Sequence, residues 1–258
     1  MARPLVLCSN DDGVHAPHLL ALAARIEAFA DVLVVAPERQ RSAASHAITL
    51  HKPLRLHEVA PRRYSLSGTP VDCVYVGILK LADRKPALVV SGVNDGYNLG
   101  SDVFYSGTVA AAVEGALRGA AGIALSLAPR AKQAEQAIDF AAAVVRAALA
   151  SIDPSAAPPG TVLNVNMPGT GSDAYQWTTL GRREYSDDVI ERHDPHGRPY
   201  YWVGGGPAGH EHIDGTDCVA VSRGWNSITP MHLDLTDARR VAAPPWTLEG
   251  FRIAVGPG

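Results

Sequence analysis

Residues 5–13 read Leu-Val-Leu-Cys-Ser-Asn-Asp-Asp-Gly. Four apolar residues, Leu5 to Cys8, run straight into the polar cluster Asn10-Asp11-Asp12. A short unbroken apolar run predicts a strand buried on both faces. A polar cluster at the carboxyl end of such a strand sits where open parallel sheets bind ligands. The pattern then repeats along the chain. Pro17 suits a first helical turn, and Leu19, Leu20, Leu22, Ala23, Ile26 and Phe29 follow at helical spacing. Residues 32–36, 87–91, 122–127 and 161–166 predict further buried strands. Residues 108–117 and the alanine-rich 132–150 predict helices between them. This alternation implies an α/β fold, a mostly parallel sheet with helices on both faces.

Downstream the composition changes. Residues 153–160, rich in proline and small residues, predict a boundary. Residues 177–201 are charged and aromatic and predict a protruding β-hairpin, with Asp187-Asp188 and His193-Asp194-Pro195 as its turns. Gly204 to Pro207 predicts a loop, and residues 218–222 and 227–235 predict late strands. The expected organisation is one domain over 1–258, with the hairpin and late strands forming an extension over about 170–235.

Bulk properties narrow the function. The chain has 258 residues, 23 Lys plus Arg against 26 Asp plus Glu, and a formal charge of −3. That balance argues against nucleic-acid or membrane-surface binding, which need a basic field. Cys8, Cys73 and Cys218 are odd in number and far apart, which is no disulfide framework. No apolar run approaches the ~18 residues needed to span a bilayer. A cytoplasmic protein with buried free thiols is expected.

Three polar clusters follow the first three strands. Asp11 and Asp12 repel each other unless donors or a cation sit nearby, although Asn-Asp-Asp-Gly is turn chemistry as well. Arg39, Arg41, Ser42 and Ser45 form the second cluster. The third, residues 91–102, mixes glycines with Asn94, Asp95, Asn98 and Asp102 and leads into Ser106-Gly107-Thr108 at a helix start. Ser106 and Thr108 read as N-caps, and a helix N-terminus also receives phosphate. Taken as one site, Asp11, Asp12, Ser42 and Asn94 all offer oxygen, which selects Mg²⁺, Mn²⁺ or Ca²⁺ over zinc. Tyr97, Phe104 and Tyr105 flank the loop of the third cluster, and Phe104 is expected in the core. His15 reads as a loop residue. No Gly-Lys dipeptide exists for a Walker A loop, and His210-Glu211-His212 lacks the second histidine of a zincin and reads as a polar strand.

The stretches SNDDGVHAP (9–17), VVAPERQRSAAS (34–45), GTPVDCV (68–74), VVSGVNDGYNLGSDVFYSGTVAAAVEG (89–115) and SITPMHLDLTD (227–237) resemble, in order and spacing, the SurE family of 5′/3′-nucleotidases. The resemblance implies a Rossmann-like core whose C-terminal extension is exchanged between subunits of a homodimer or tetramer. It implies one Mg²⁺ or Mn²⁺ per subunit and hydrolysis of nucleoside 5′- and 3′-monophosphates, with short polyphosphate as a further substrate. The family's metal ligands fall on Asp11, Asp12, Ser42 and Asn94. Its phosphate-binding stretch falls on Asn98, Ser106, Gly107 and Thr108, and Asp11 and Asp12 are the expected catalytic residues, either with Asp12 activating water or with an aspartyl-phosphate at Asp11. Departures are His18 for glycine, Glu38 for aspartate, Ala43 for glycine and Ser101 for aspartate; none removes a ligand. Two rival readings remain, a nucleotide or phosphate sensor without turnover and a haloacid-dehalogenase-like phosphatase. The second requires an Asp-x-Asp pair, and the aspartates here are adjacent.

Overall fold

The computed structural model describes residues 3–151, 161–185, 189–203 and 209–243. In chain order it contains β1 (Leu5–Ser9), α1 (Pro17–Ile26), β2 (Asp31–Pro37), β3 (Leu56–Ala60), β4 (Arg63–Leu66), α2 (Pro70–Val76), β5 (Leu88–Asp95), α3 (Gly107–Leu117), β6 (Ala121–Leu127) and α4 (Ala134–Ser151). Then come β7 (Val162–Met167), β8 (Tyr175–Trp177), β9 (Arg183–Glu184), β10 (Val189–His193), β11 (Pro199–Val203), β12 (Gly209–His210), α5 (Asp217–Ser222), β13 (Asn226–Met231) and α6 (Ala238–Ala242). A π-helical turn, Gly77–Leu81, continues α2, and a 3-10 turn, Gly100–Phe104, precedes α3.

The main sheet runs β3-β4-β2-β1-β5-β6-β7-β13-β8. From β4 to β7 every neighbour is parallel. Chain order advances one way from β1 through β2 to β4, and the other way from β5 through β6 to β7. The reversal lies between β1 and β5, the point where such sheets bind ligands. Antiparallel pairings flank this parallel block, β3 against β4 and β13 against β7, and β8 forms the far edge parallel to β13.

Alternation in the strands explains why helices cover both faces. Val6, Cys8, Val34 and Val90 pack with Leu19, Leu22, Ile26, Ile138 and Val145 of α1 and α4. Leu5, Leu7, Leu33, Val35 and Val89 point the other way, onto Cys73, Val74 and Ala111 of α2 and α3. Each helix start is locally specified. Pro17 opens α1. Thr69 and Asp72 form a reciprocal capping box on α2. The Ser106 hydroxyl oxygen accepts the Val109 N–H on α3.

The five core strands read from sequence appear as β1, β2, β5, β6 and β7, and all three cysteines are buried free thiols. Other readings need correction. Residues 218–222 are helix α5, not a strand: Thr216 caps them, and the run CVAVS is too short for its apolar pattern to separate the two. The protruding hairpin is confined to β10 and β11, whose residues are all exposed. Trp177 instead ends β8, which joins the main sheet beside β13. Phe104 is 64% exposed, not in the core. The predicted boundary at 153–160, the Asp187-Asp188 turn and the Gly204 to Pro207 loop lie outside the described residues. No described helix is long and apolar enough to cross a membrane.

Candidate active site

The floor of the site is built where β1, β5 and α3 meet. Asn10 fixes the turn after β1 from both sides: its Nδ2 donates to the Gly13 carbonyl at 3.1 Å, and the Gly13 N–H donates to its Oδ1 at 3.1 Å. This turn presents Asp11 and Asp12. Asp11 is buried, and its Oδ1 accepts the Thr108 hydroxyl at 2.5 Å. Its backbone carbonyl accepts the Arg41 N–H at 2.7 Å. The start of α3 lies directly against it, since a Cβ at Gly107 would stand 3.2 Å from the Asp11 Cβ.

A bulge in β5 supplies the next donor. Register with β6 shifts between Ser91 and Asn94, and bulges of this kind re-aim the residues that follow. Gly92 makes the bulge possible. It has φ +133°, and a Cβ there would lie 2.3 Å from the Leu125 carbonyl oxygen. Asn94 Nδ2 donates to the Gly96 carbonyl at 2.8 Å, so its amide oxygen is the atom left to a ligand. Asn98 is clamped by buried neighbours. Its carbonyl accepts Nδ2 of Asn164 at 2.8 Å and of Asn166 at 3.1 Å, its N–H donates to Asn166 Oδ1, and its Nδ2 donates to Ser126 Oγ.

The rim is made of loops. After β2 the chain passes through Ala43 and Ser45, both left-handed, with φ of 54° and 49°. Ser45 pins this loop to the 3-10 turn through its N–H to the Tyr105 carbonyl and its hydroxyl to the Phe104 carbonyl. A second loop arrives from far along the chain. Asp217 accepts the Gly100 N–H at 2.9 Å and the Gly181 N–H at 2.8 Å, which straps residues 181–185 onto the 3-10 turn. Arg183 Nε donates to Asp102 at 3.1 Å, and the Tyr185 hydroxyl donates to the other Asp102 oxygen.

Floor and rim enclose a cleft of about 280 Å³. Asp11, Asp12, Ser42, Asn94, Asn98 and Ser106 all line it, so the structure brings six of the eight residues singled out from sequence together. Thr108 is fully buried behind the floor with its hydroxyl committed to Asp11, and Gly107 contributes backbone. Tyr97 and Tyr105 also line the cleft. His15 is exposed and is not among the lining residues. His51, His57, His193 and His196 are exposed as well. Asp95 and Asp102 of the third cluster line it too, and the sequence reading missed Gln40 and Tyr185 as lining residues. Gln40 lies inside the VVAPERQRSAAS stretch already marked; nothing near Tyr185 in sequence signals the cleft.

Electrostatics set the floor apart. Burial pushes the Asp11 carboxyl up to about 6, the Thr108 hydroxyl partly offsets this, and the charge of Asp12 adds to it. Asp12 is also raised, first by burial and further by Asp95, while His18 opposes the rise. His18 is not a lining residue. Two desolvated carboxylates, with an amide and a hydroxyl on the same small cleft, form a hard-oxygen donor set that fits a divalent ion. Among the described residues, no group of three or more His, Cys, Asp or Glu is poised to hold a metal. The candidate set therefore depends on its serine and asparagine, and His210-Glu211-His212 offers no alternative.

Residues 6–187 match the family model described as Survival protein SurE. The chain is 53% identical over 253 residues to a 5′-nucleotidase SurE of Anaeromyxobacter dehalogenans (strain 2CP-C), covering 95% of this chain and 97% of that one. A 5′-nucleotidase SurE of Myxococcus xanthus (strain DK1622) is 46% identical over 252 residues, covering 95% and 94%. The crystal structure of the SurE protein from Aquifex aeolicus superposes with a TM-score of 0.80 at 35% identity, covering 93% of this chain and 98% of that one. The chain belongs to the SurE family.

Proposed function

We propose that this chain is a metal-dependent phosphomonoesterase that hydrolyses nucleoside 5′-monophosphates to nucleoside and phosphate. One observation carries the reading: two desolvated carboxylates and the N-terminus of an 11-residue helix meet at one polar cleft. The names of the relatives supply the substrate class.

Asp11, Asp12, Ser42 and Asn94 would hold one divalent ion, Mg²⁺ or Mn²⁺, with Ca²⁺ as a possible occupant. When bound, the ion supplies Lewis acidity toward a phosphoryl oxygen and lowers the pKa of a coordinated water. The chain's own groups do the rest. Ser106, the first N–H groups of α3 and the Asn98 amide receive phosphoryl oxygens as negative charge redistributes onto them. Asp12 accepts the proton of the attacking water. The water oxygen bonds to phosphorus, the bond from phosphorus to the ester oxygen breaks, and solvent protonates the departing alkoxide. Thr108 holds Asp11 through Oδ1, which draws electron density from that carboxylate and favours water over Asp11 as the nucleophile.

The reading extends to 3′-monophosphates and short polyphosphate, to a cytoplasmic protein, and to a homodimer or tetramer that exchanges the late strands of about 170–235. Phosphate release from AMP, 3′-AMP and tripolyphosphate, with Mn²⁺ or Mg²⁺ and with chelator, tests the chemistry. Release from AMP that stops on chelation is expected. Tight AMP binding without release would instead make the chain a sensor. An acid-trapped phosphoenzyme would move the nucleophile to Asp11, and a clean monomer in sedimentation would remove the subunit exchange.

A further inference from the structure

The strap formed by residues 181–185 gives the cleft one wall that comes from outside the core. Tyr185 is 51% exposed and lines the cleft that holds Asp11 and Asp12. Its hydroxyl donates to Asp102, so the phenol is already committed and its ring is what remains for a ligand. Asp102 is held in turn by Arg183, with both side chains largely buried, at 15% and 16% exposure. The Arg183 guanidinium also lies 5.5 Å from the Tyr185 ring centre. The two loops meet without slack: a Cβ at Gly100 would stand 2.4 Å from the Gly181 carbonyl oxygen. Tyr185 is thus an exposed aromatic surface fixed in place before any ligand arrives, which lowers the entropy cost of stacking.

Resting on the nucleotidase reading, we propose that Tyr185 is the specificity-determining residue for the nucleoside part of the substrate. Its ring stacks on the base, and Asp102 and Arg183 are positioning residues that hold it. Stacking tolerates any base, because every base has a π-face. The site would therefore distinguish a nucleotide from a plain sugar phosphate without reading base identity.

The test compares kcat/KM for AMP with that for ribose 5-phosphate in the parent, Tyr185→Ala and Tyr185→Trp. In Tyr185→Ala the AMP to ribose 5-phosphate ratio should fall about tenfold, carried by KM, as loss of one stacked ring predicts. Tyr185→Trp should keep the ratio, and its added fluorescence should be quenched by adenosine but not by ribose 5-phosphate. Asp102→Asn should move the ratio in the same direction as Tyr185→Ala, by less. Equal losses on both substrates would reduce Tyr185 to a structural role and overturn the inference alone. A parent protein that releases no phosphate from AMP would overturn the nucleotidase reading and this inference together.

Discussion

The floor and the rim of the cleft are made of different material. The floor uses strand ends and a helix start, and its side chains are buried and bonded on several sides. Asn10, Asp11, Asn98 and Thr108 are each at least nine-tenths buried. The rim uses loops: Ala43 and Ser45 in left-handed conformations, and a strap tied down mainly by Asp102 and Asp217. Charge follows the same division. Uncompensated carboxylates sit on the floor, while Asp102 on the rim is neutralised by Arg183. A site built this way fixes its chemistry in the rigid part and leaves its choice of substrate to the part that can vary.

The largest expected effect strikes the floor. Asp11→Asn should lower phosphate release on the order of 10³-fold at saturating Mn²⁺, the scale of a lost electrostatic group in a desolvated site. A loss under about tenfold would place the chemistry elsewhere. Gly92→Ala comes next, because it forces a side chain into the Leu125 carbonyl at φ +133°. A stability loss of about 3 kcal/mol or more is expected from the urea midpoint. A neutral result would mean the bulge re-forms without glycine.

The pH prediction also separates the two regions. In chelator, the Asp11 carboxyl binds its proton more tightly folded than unfolded, at about 6 against 3.8. Stability should therefore fall as pH rises from about 4 to about 6 and level off above, by at most about 3 kcal/mol at 1.36 kcal/mol per pK unit. Asp12 adds to the same sign. The difference between parent and Asp11→Asn isolates the effect, which Mn²⁺ should shrink. A parent and variant with the same pH profile would show Asp11 to be well solvated. The smallest effect belongs to the rim. Ala43→Gly relieves a left-handed alanine but frees the unfolded chain, so a net gain of only about 0.5 to 1 kcal/mol is expected from thermal unfolding.

Legibility in the sequence followed the same line. The floor is written in local patterns: apolar runs end in Asn10-Asp11-Asp12 and Asn94-Asp95, and Ser106 caps a helix. Position at the switch point then groups them. The edge strand β3 carried no such signal, because it is mostly exposed and lacks an apolar run. α5 misled because short β-branched runs fit a strand or a helix equally well. Tyr185 was out of reach for another reason. Its partner Asp102 lies far upstream in the chain, and only the assembled fold brings the two together.

The Asp217 carboxylate accepts amide protons from Gly100 and Gly181 at once. Neither loop can lift away alone without giving up a hydrogen bond to that shared carboxylate. The two amides should therefore exchange with deuterium at matched rates, and Asp217→Ala should speed both together, which makes the rim a single cooperative opening unit assembled from distant parts of the chain.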